Sequence, residues 1–180
     1  MVERIVRIIR LDFSVFKEIE ADPNATAEAA IIVAITSVLS ALGPAIRSST
    51  FLRVFVGGLA SGLIGWLVWA AVAYLVGKTL FESRGTLDNM LRVLGYANAP
   101  RFLGILAVIP CIGWLGPLAG AIMALVAGVM AVSEGLDLDT GQAIIVAVVG
   151  WIALAVVTMV IGIVLGVGAL GLAALVGSFS

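Results

Sequence analysis

The amino-acid sequence predicts an all-α, polytopic membrane protein: five transmembrane helices plus two amphipathic helices lying on the cytoplasmic surface. Three observations predict it. The chain is 62% hydrophobic and 12% charged, where a soluble domain carries about 25% charged residues, and its mean hydropathy is +1.23. Several apolar runs reach the length of about 18 residues that reads as a membrane span. Lys and Arg gather on one side of those runs. A chain of 180 residues with so few charges cannot cover a soluble surface. Its net charge of −1 and pI of about 5.3 argue against nucleic acid as a partner.

Residues 1–26, "MVERIVRIIRLDFSVFKEIEADPNAT", mix charge throughout and so lack the uninterrupted apolar core of a signal peptide. Val2, Ile5, Val6, Ile9, Phe13 and Phe16 recur at helical spacing, with Arg4, Arg7 and Lys17 on other sides. This reads as one amphipathic helix in the membrane interface, ending at Asp22-Pro23. Asn24 or Thr26 is placed to cap the next helix.

The expected spans are 27–46, 54–77, 99–114, 117–133 and 142–165, with a Gly-rich apolar tail over 166–180. Gly43-Pro44 and the polar "RSST" close the first. Arg53 and Lys78 bound the second, about 36 Å long at 1.5 Å per residue. Residues 102–132 would make a helix of about 46 Å, too long for one crossing. "IPCIGWLGP" interrupts them, so they read as a hairpin of two short spans with its turn near Cys111 to Pro117, Pro110 starting the break. Cys111 sits among apolar residues and reads as a packed small hydrophobe. The last apolar run exceeds one crossing, and Gly162, Gly166, Gly168 and Gly171 loosen its second half; a re-entrant sixth piece is the alternative.

Orientation follows from the basic residues. With the N-terminus inside, eight Lys or Arg lie on the cytoplasmic side and only Arg47 and Arg53 outside. The N-terminus is therefore expected in the cytoplasm and the C-terminus outside, in a prokaryotic plasma membrane.

The stretch "LRVLGYANAPRFLGIL" is expected to turn a surface helix into a crossing one. Thr86 is placed to cap a second interfacial helix carrying Leu87, Met90, Leu91 and Leu94 on one face, with Arg92 elsewhere around it. Gly95 permits the turn, Tyr96 suits the headgroup level, Asn98 caps, Pro100 opens the third span and Arg101 flanks it. The acidic "SEGLDLDTGQ" resembles a calcium loop only loosely, without the closing Glu; charges favouring the N-terminal end of span five explain it more simply.

With one Cys and no His, the chain offers no disulfide, His-based metal site or Ser-His-Asp triad. No enzyme activity, cofactor or metal is expected. The spans hold almost no ionisable residue, which argues against a proton-coupled carrier. The pairs Gly58/Gly62, Gly116/Gly120 and Gly162/Gly166 allow close helix approach, first within the chain and, for the last pair, with a second copy or another membrane protein.

The segment "GKTLFESRGTLDNMLRVLGYANAPRFLGILAVIPCIGWLGPL" resembles the prokaryotic branch of the Yip family, membrane proteins named for interacting with Ypt/Rab GTPases. The likeness extends through "LDFSVFKEIEADPNATAEAA", "GWLVWAAVAYLVG" and "AVSEGLDLDTGQAIIV", covering most of the chain. It implies five spans with a cytoplasmic N-terminus. Eukaryotic relatives bind prenylated GTPases and carry a long cytoplasmic region with an Asp-Leu-Tyr-Gly-Pro-like segment. Only about 26 residues precede the first span here, without that segment, which argues against GTPase binding. The expected role is to organise or shape the bilayer, or to bind a membrane-associated partner at the cytoplasmic face. The alternatives are a small transporter or channel, or an accessory subunit of a larger complex.

Overall fold

The computed structural model describes residues 1–46, 48–108, 115–152 and 155–156, and among these it contains only helices and their connections. In chain order they are α1 (Val2–Ile9), α2 (Val15–Ala21), α3 (Ala25–Ile46), α4 (Phe51–Phe81), α5 (Leu87–Tyr96), a 3-10 helix (Ala99–Val108) and α6 (Leu115–Leu136). A further apolar helix, α7, covers Thr140–Ile152. Residues Ala25–Leu42 of α3, all of α4 and all of α6 are long and apolar enough to cross a membrane.

Two antiparallel pairs form the frame. In the first, Gly58 and Gly62 of α4 face Ala41 and Ser37 of α3; a Cβ on Gly58 would lie 2.7 Å from the Ala41 Cβ. In the second, Gly116 and Gly120 of α6 meet the 3-10 helix, where a Cβ would stand 2.5 Å from the Leu103 carbonyl oxygen and 2.7 Å from that of Pro100. Both glycine pairs are therefore spent on packing within the chain, which lets backbones approach where lipid supplies no hydrophobic drive. Trp69 of α4 and Trp151 of α7 meet at 6.3 Å between ring centroids.

Three chain reversals bring one set of helix ends together. Gly77 near the end of α4 packs on Leu136 of α6, Gly85 on the Gly135 carbonyl, and Gly95 of α5 on Ala29 near the start of α3. Helix α5 lies among α3, α4 and α6. The Trp66 indole N–H ties it to α4 by donating to the Leu91 carbonyl at 3.1 Å. The core concentrates at this end: Ile8, Phe16, Ile19, Ile32, Met90, Val93, Leu94, Val132 and Leu136 are all essentially fully buried. Farther along the spans, large apolar side chains such as Ile35, Ile64, Leu67, Ile122 and Leu125 face outward, as lipid contact requires. Helix α4 buries a single stripe, Trp66, Ala70, Ala73 and Gly77, at helical spacing.

Several expectations are corrected. The N-terminal segment is two helices. Leu11 adopts φ 64°, and the amides of Leu11 and Asp12 close the end of α1 on the Ile8 and Arg7 carbonyls at 2.9 Å each. The fold-back turns the apolar faces inward: Ile8, Val15, Phe16 and Ile19 are buried in the protein, while Val2 and Val6 are exposed. The same holds for α5, whose Met90, Val93 and Leu94 are buried whereas Leu87 is 40% exposed. Both segments thus pack part of their apolar surface on the protein's own helix ends and leave Val2, Val6, Leu11 and Leu87 exposed. Span three is described as a 3-10 helix over its first ten residues. A 3-10 helix rises about 2.0 Å per residue against 1.5 Å for an α-helix, so these ten residues reach farther along α6. Helices α4 and α6 overrun their expected ends, and α7 is described over the first part of span five. The expected turn at Pro110 and Cys111 and the Gly162/Gly166 face lie outside the described residues.

The acidic loop resolves into a helix cap. The Asp139 side chain accepts from the Gln142 amide at 2.9 Å, and the Gln142 side chain accepts from the Asp139 amide at 3.3 Å. This reciprocal pair is a capping box at the start of α7.

Candidate functional site

The charged side chains converge on a layer made by α1, α2, α5 and the start of α3. Arg92 is its hub. From α5 its guanidinium donates to the Glu20 carbonyl at 2.8 Å and to the Thr26 hydroxyl at 3.0 Å, and it pairs with Asp88 one turn back. The Thr26 hydroxyl donates to Asp88 at 3.0 Å, and the Asn89 amide donates to the Glu20 carboxylate at 2.6 Å. One planar fork thus joins the end of α2, the start of α3 and α5, a geometry that a lysine could not supply. Thr26 is drawn into this network, and Asp22 instead accepts from the Asn24 amide at 3.0 Å. Thr86 caps α5, its hydroxyl accepting from the Asn89 amide at 3.1 Å.

A second cluster lies beside it. Arg4 of α1 donates to Asp22 at 2.8 Å and to Glu28 of α3 at 3.4 Å, and the Tyr96 hydroxyl donates to the same Glu28 carboxylate. The Tyr96 side chain is fully buried within the protein. Burial and the bond to Glu28 push its hydroxyl up to about 12, with Arg4 opposing. Arg4 and the Asn24 amide hold the Asp22 carboxyl below its ordinary value. The Glu20 carboxyl is raised, first by burial and then by repulsion from Glu134 and Asp137. Arg7 joins α1 to α2 through Asp12 at 2.8 Å and Glu18 at 2.7 Å.

The predicted residues thus divide. Arg92 and Tyr96 enter the polar network. Gly95 is helical and makes no turn; with no side chain it lets α5 close onto Ala29, whose Cα would lie 3.1 Å from an added Cβ. The Asn98 amide donates to the Leu94 carbonyl at 2.9 Å and closes the end of α5. Pro100 is buried against α6. Arg101 borders a cavity of about 240 Å³ between α3 and α4, lined also by Asn98, Thr36, Ser37, Ser40, Gly58 and Gly62. Sequence reasoning missed Glu20, Thr26 and Glu28 as partners. The one signal for Glu28 was a carboxylate in the first turn of an otherwise apolar span. Among the described residues, no group of three His, Cys, Asp or Glu side chains is placed to hold a metal ion.

Lipid-facing helices capped by an ion-paired helical layer define an integral membrane protein of the polytopic α-helical class. The Yip1 domain model matches residues 12–162, and the chain belongs to the Yip1 domain family. No curated protein and no solved structure gives a significant match.

Proposed function

We propose that this protein is a non-catalytic organiser of the membrane that presents its charged layer to a membrane-associated partner on the cytoplasmic side. The observation that carries this reading is the Arg92 hub. It holds α2, α3 and α5 in one rigid arrangement, and the layer carries exposed charges of both signs, including Arg10, Lys17, Glu18 and Arg84. Charged rims of this kind set encounter and specificity. Orientation by the eight-to-two bias of basic residues points this layer to the cytoplasm.

Partner binding has more support than membrane shaping by inserted helices. Ile8, Phe16, Ile19, Met90 and Val93 are already buried within the protein, so wedging them into a leaflet would require that core to open.

Photocrosslinkers placed at Arg10, Lys17 and Arg84 in native membranes test the proposal. Defined protein adducts are expected from these positions but not from Ser48 at the opposite end. Charge reversal at Lys17 and Arg84 should reduce the adducts at Arg10 several-fold. Equal crosslinking from both ends, indifferent to charge, would refute the partner reading.

A further inference from the structure

We infer that the cavity between α3 and α4 is a binding site for a phosphate-class oxyanion, held by Arg101. Arg101 stands on the first turn of the 3-10 helix and borders a cavity that also presents Thr36, Ser37, Ser40 and Asn98. A guanidinium cannot discharge itself by losing its proton. Every carboxylate side chain of the chain lies among the described residues, and none of them forms an ion pair with Arg101. Arg101 is exposed, and its charge stands at the mouth of a largely apolar hollow along the third span without a countercharge from an acidic side chain; ionisable residues placed along a span mark functional sites in membrane proteins.

The donors left uncommitted, rather than the bonded hydroxyls, favour an anion. Thr36 donates to the Ile32 and Val33 carbonyls and Ser40 to the Thr36 carbonyl, so their protons are committed to their own helix. Asn98 spends one amide proton on Leu94 and keeps the second. The donors left for a ligand are the guanidinium fork, the Ser37 hydroxyl and that amide proton. Forked recognition of a phosphate by arginine is both strong and geometrically selective. The size of about 240 Å³ falls below the roughly 300–1,000 Å³ of pockets for drug-sized molecules. It suits a headgroup phosphate or a free inorganic one rather than a larger solute. Gly58 and Gly62 shape the wall, since a side chain on Gly62 would run into Ser37. This site is independent of the partner-facing layer and stands or falls separately.

The test uses the full chain, purified in detergent, with two probes: phosphatidylglycerol, read by native mass spectrometry, and inorganic phosphate, read by the thermal midpoint. The wild type is expected to retain phosphatidylglycerol at least tenfold better than Arg101→Gln, and several-fold better than Ser37→Ala. Arg84→Gln should match the wild type. A phosphate-dependent rise in midpoint that Arg101→Gln abolishes would identify free anion as a source; retention of lipid without that rise would identify the headgroup. Ser37→Ala, a small change, decides the matter if Arg101→Gln does not fold. Wild-type lipid retention by the folded variants, with no phosphate effect on any of them, would overturn the inference and leave Arg101 as a solvated interfacial charge.

Discussion

Gly95 and Tyr96 stand side by side in α5 and do opposite things. Gly95 removes a side chain so that α5 can touch Ala29, and Tyr96 buries a large one whose hydroxyl reaches Glu28. A substitution at Gly95 must displace a helix backbone rather than a flexible side-chain tip. Gly95→Val is therefore expected to lower stability by about 1–3 kcal/mol, the usual cost of overpacking. Gly57, with nothing within 4 Å of its missing Cβ, serves as the contrast: Gly57→Ala should raise stability by about 0.5–1 kcal/mol through helix propensity. Unfolding midpoints in one detergent check both. Tyr96 makes a pH prediction. Its hydroxyl is raised from 10.0 to about 12 in the folded state, so folding favours the protonated phenol. That contribution is complete below about pH 10 and is lost as pH rises through about 12. The difference in stability between wild type and Tyr96→Phe should shrink across this window; a difference constant in pH would contradict a buried phenol that folds protonated.

At the scale of elements, the N-terminal pair is the informative case. Its helical spacing was legible, but the break at Leu11 was not, because a left-handed leucine has no sequence signature. Such a conformation costs an L-residue about 1–2 kcal/mol, and the Leu11 side chain is 51% exposed with little packing to lose. Leu11→Gly is expected to stabilise the protein by about 0.5–1 kcal/mol after the added freedom of the unfolded chain is counted. A loss of stability would mean that Leu11 contributes contacts beyond its backbone. Arg92 tests how the elements are joined. Arg92→Met keeps the apolar stem and removes the fork. Hydrogen exchange should then rise at least tenfold in α2 and the first turns of α3 and α5, with the middle of α4 and α6 unchanged. Exchange unchanged from the wild type throughout would show that apolar packing alone holds the layer.

For the whole molecule, the ends of α4 and α6 meet the starts of α3 and α7 on the charged side. Five crossings, with the layer and the C-terminal end on opposite sides, are the topology we propose from the bias of basic residues. In a Cys111→Ser background, single cysteines at Glu3 and Glu82 should react with an impermeant thiol reagent only from the cytoplasm. Cysteines at Ser48 and Ser180 should react only from outside. Labelling of Glu3 and Ser180 from one side would remove the five-span topology.

By itself, the sequence determined what depends on composition and short-range spacing. Lipid selects long apolar helices with few charges, so membrane class, the positions of α3, α4 and α6, and the Thr86 cap could be read directly. Family membership was legible for the same reason, through ordered local segments. Which surface an amphipathic face covers was decided only by the tertiary structure. The spacing of Ile5, Ile9, Leu87 and Leu91 fits a bilayer and a protein core equally well; long-range packing buried their neighbours Ile8, Met90, Val93 and Leu94 and left Leu87 exposed. The same holds for charge. Arg92, Glu20 and Thr26 are separated by up to 72 positions, and Arg101 meets Ser37 across a cavity. Such partners are found by folding, because their attraction acts over a few ångströms of space and carries no trace along the chain.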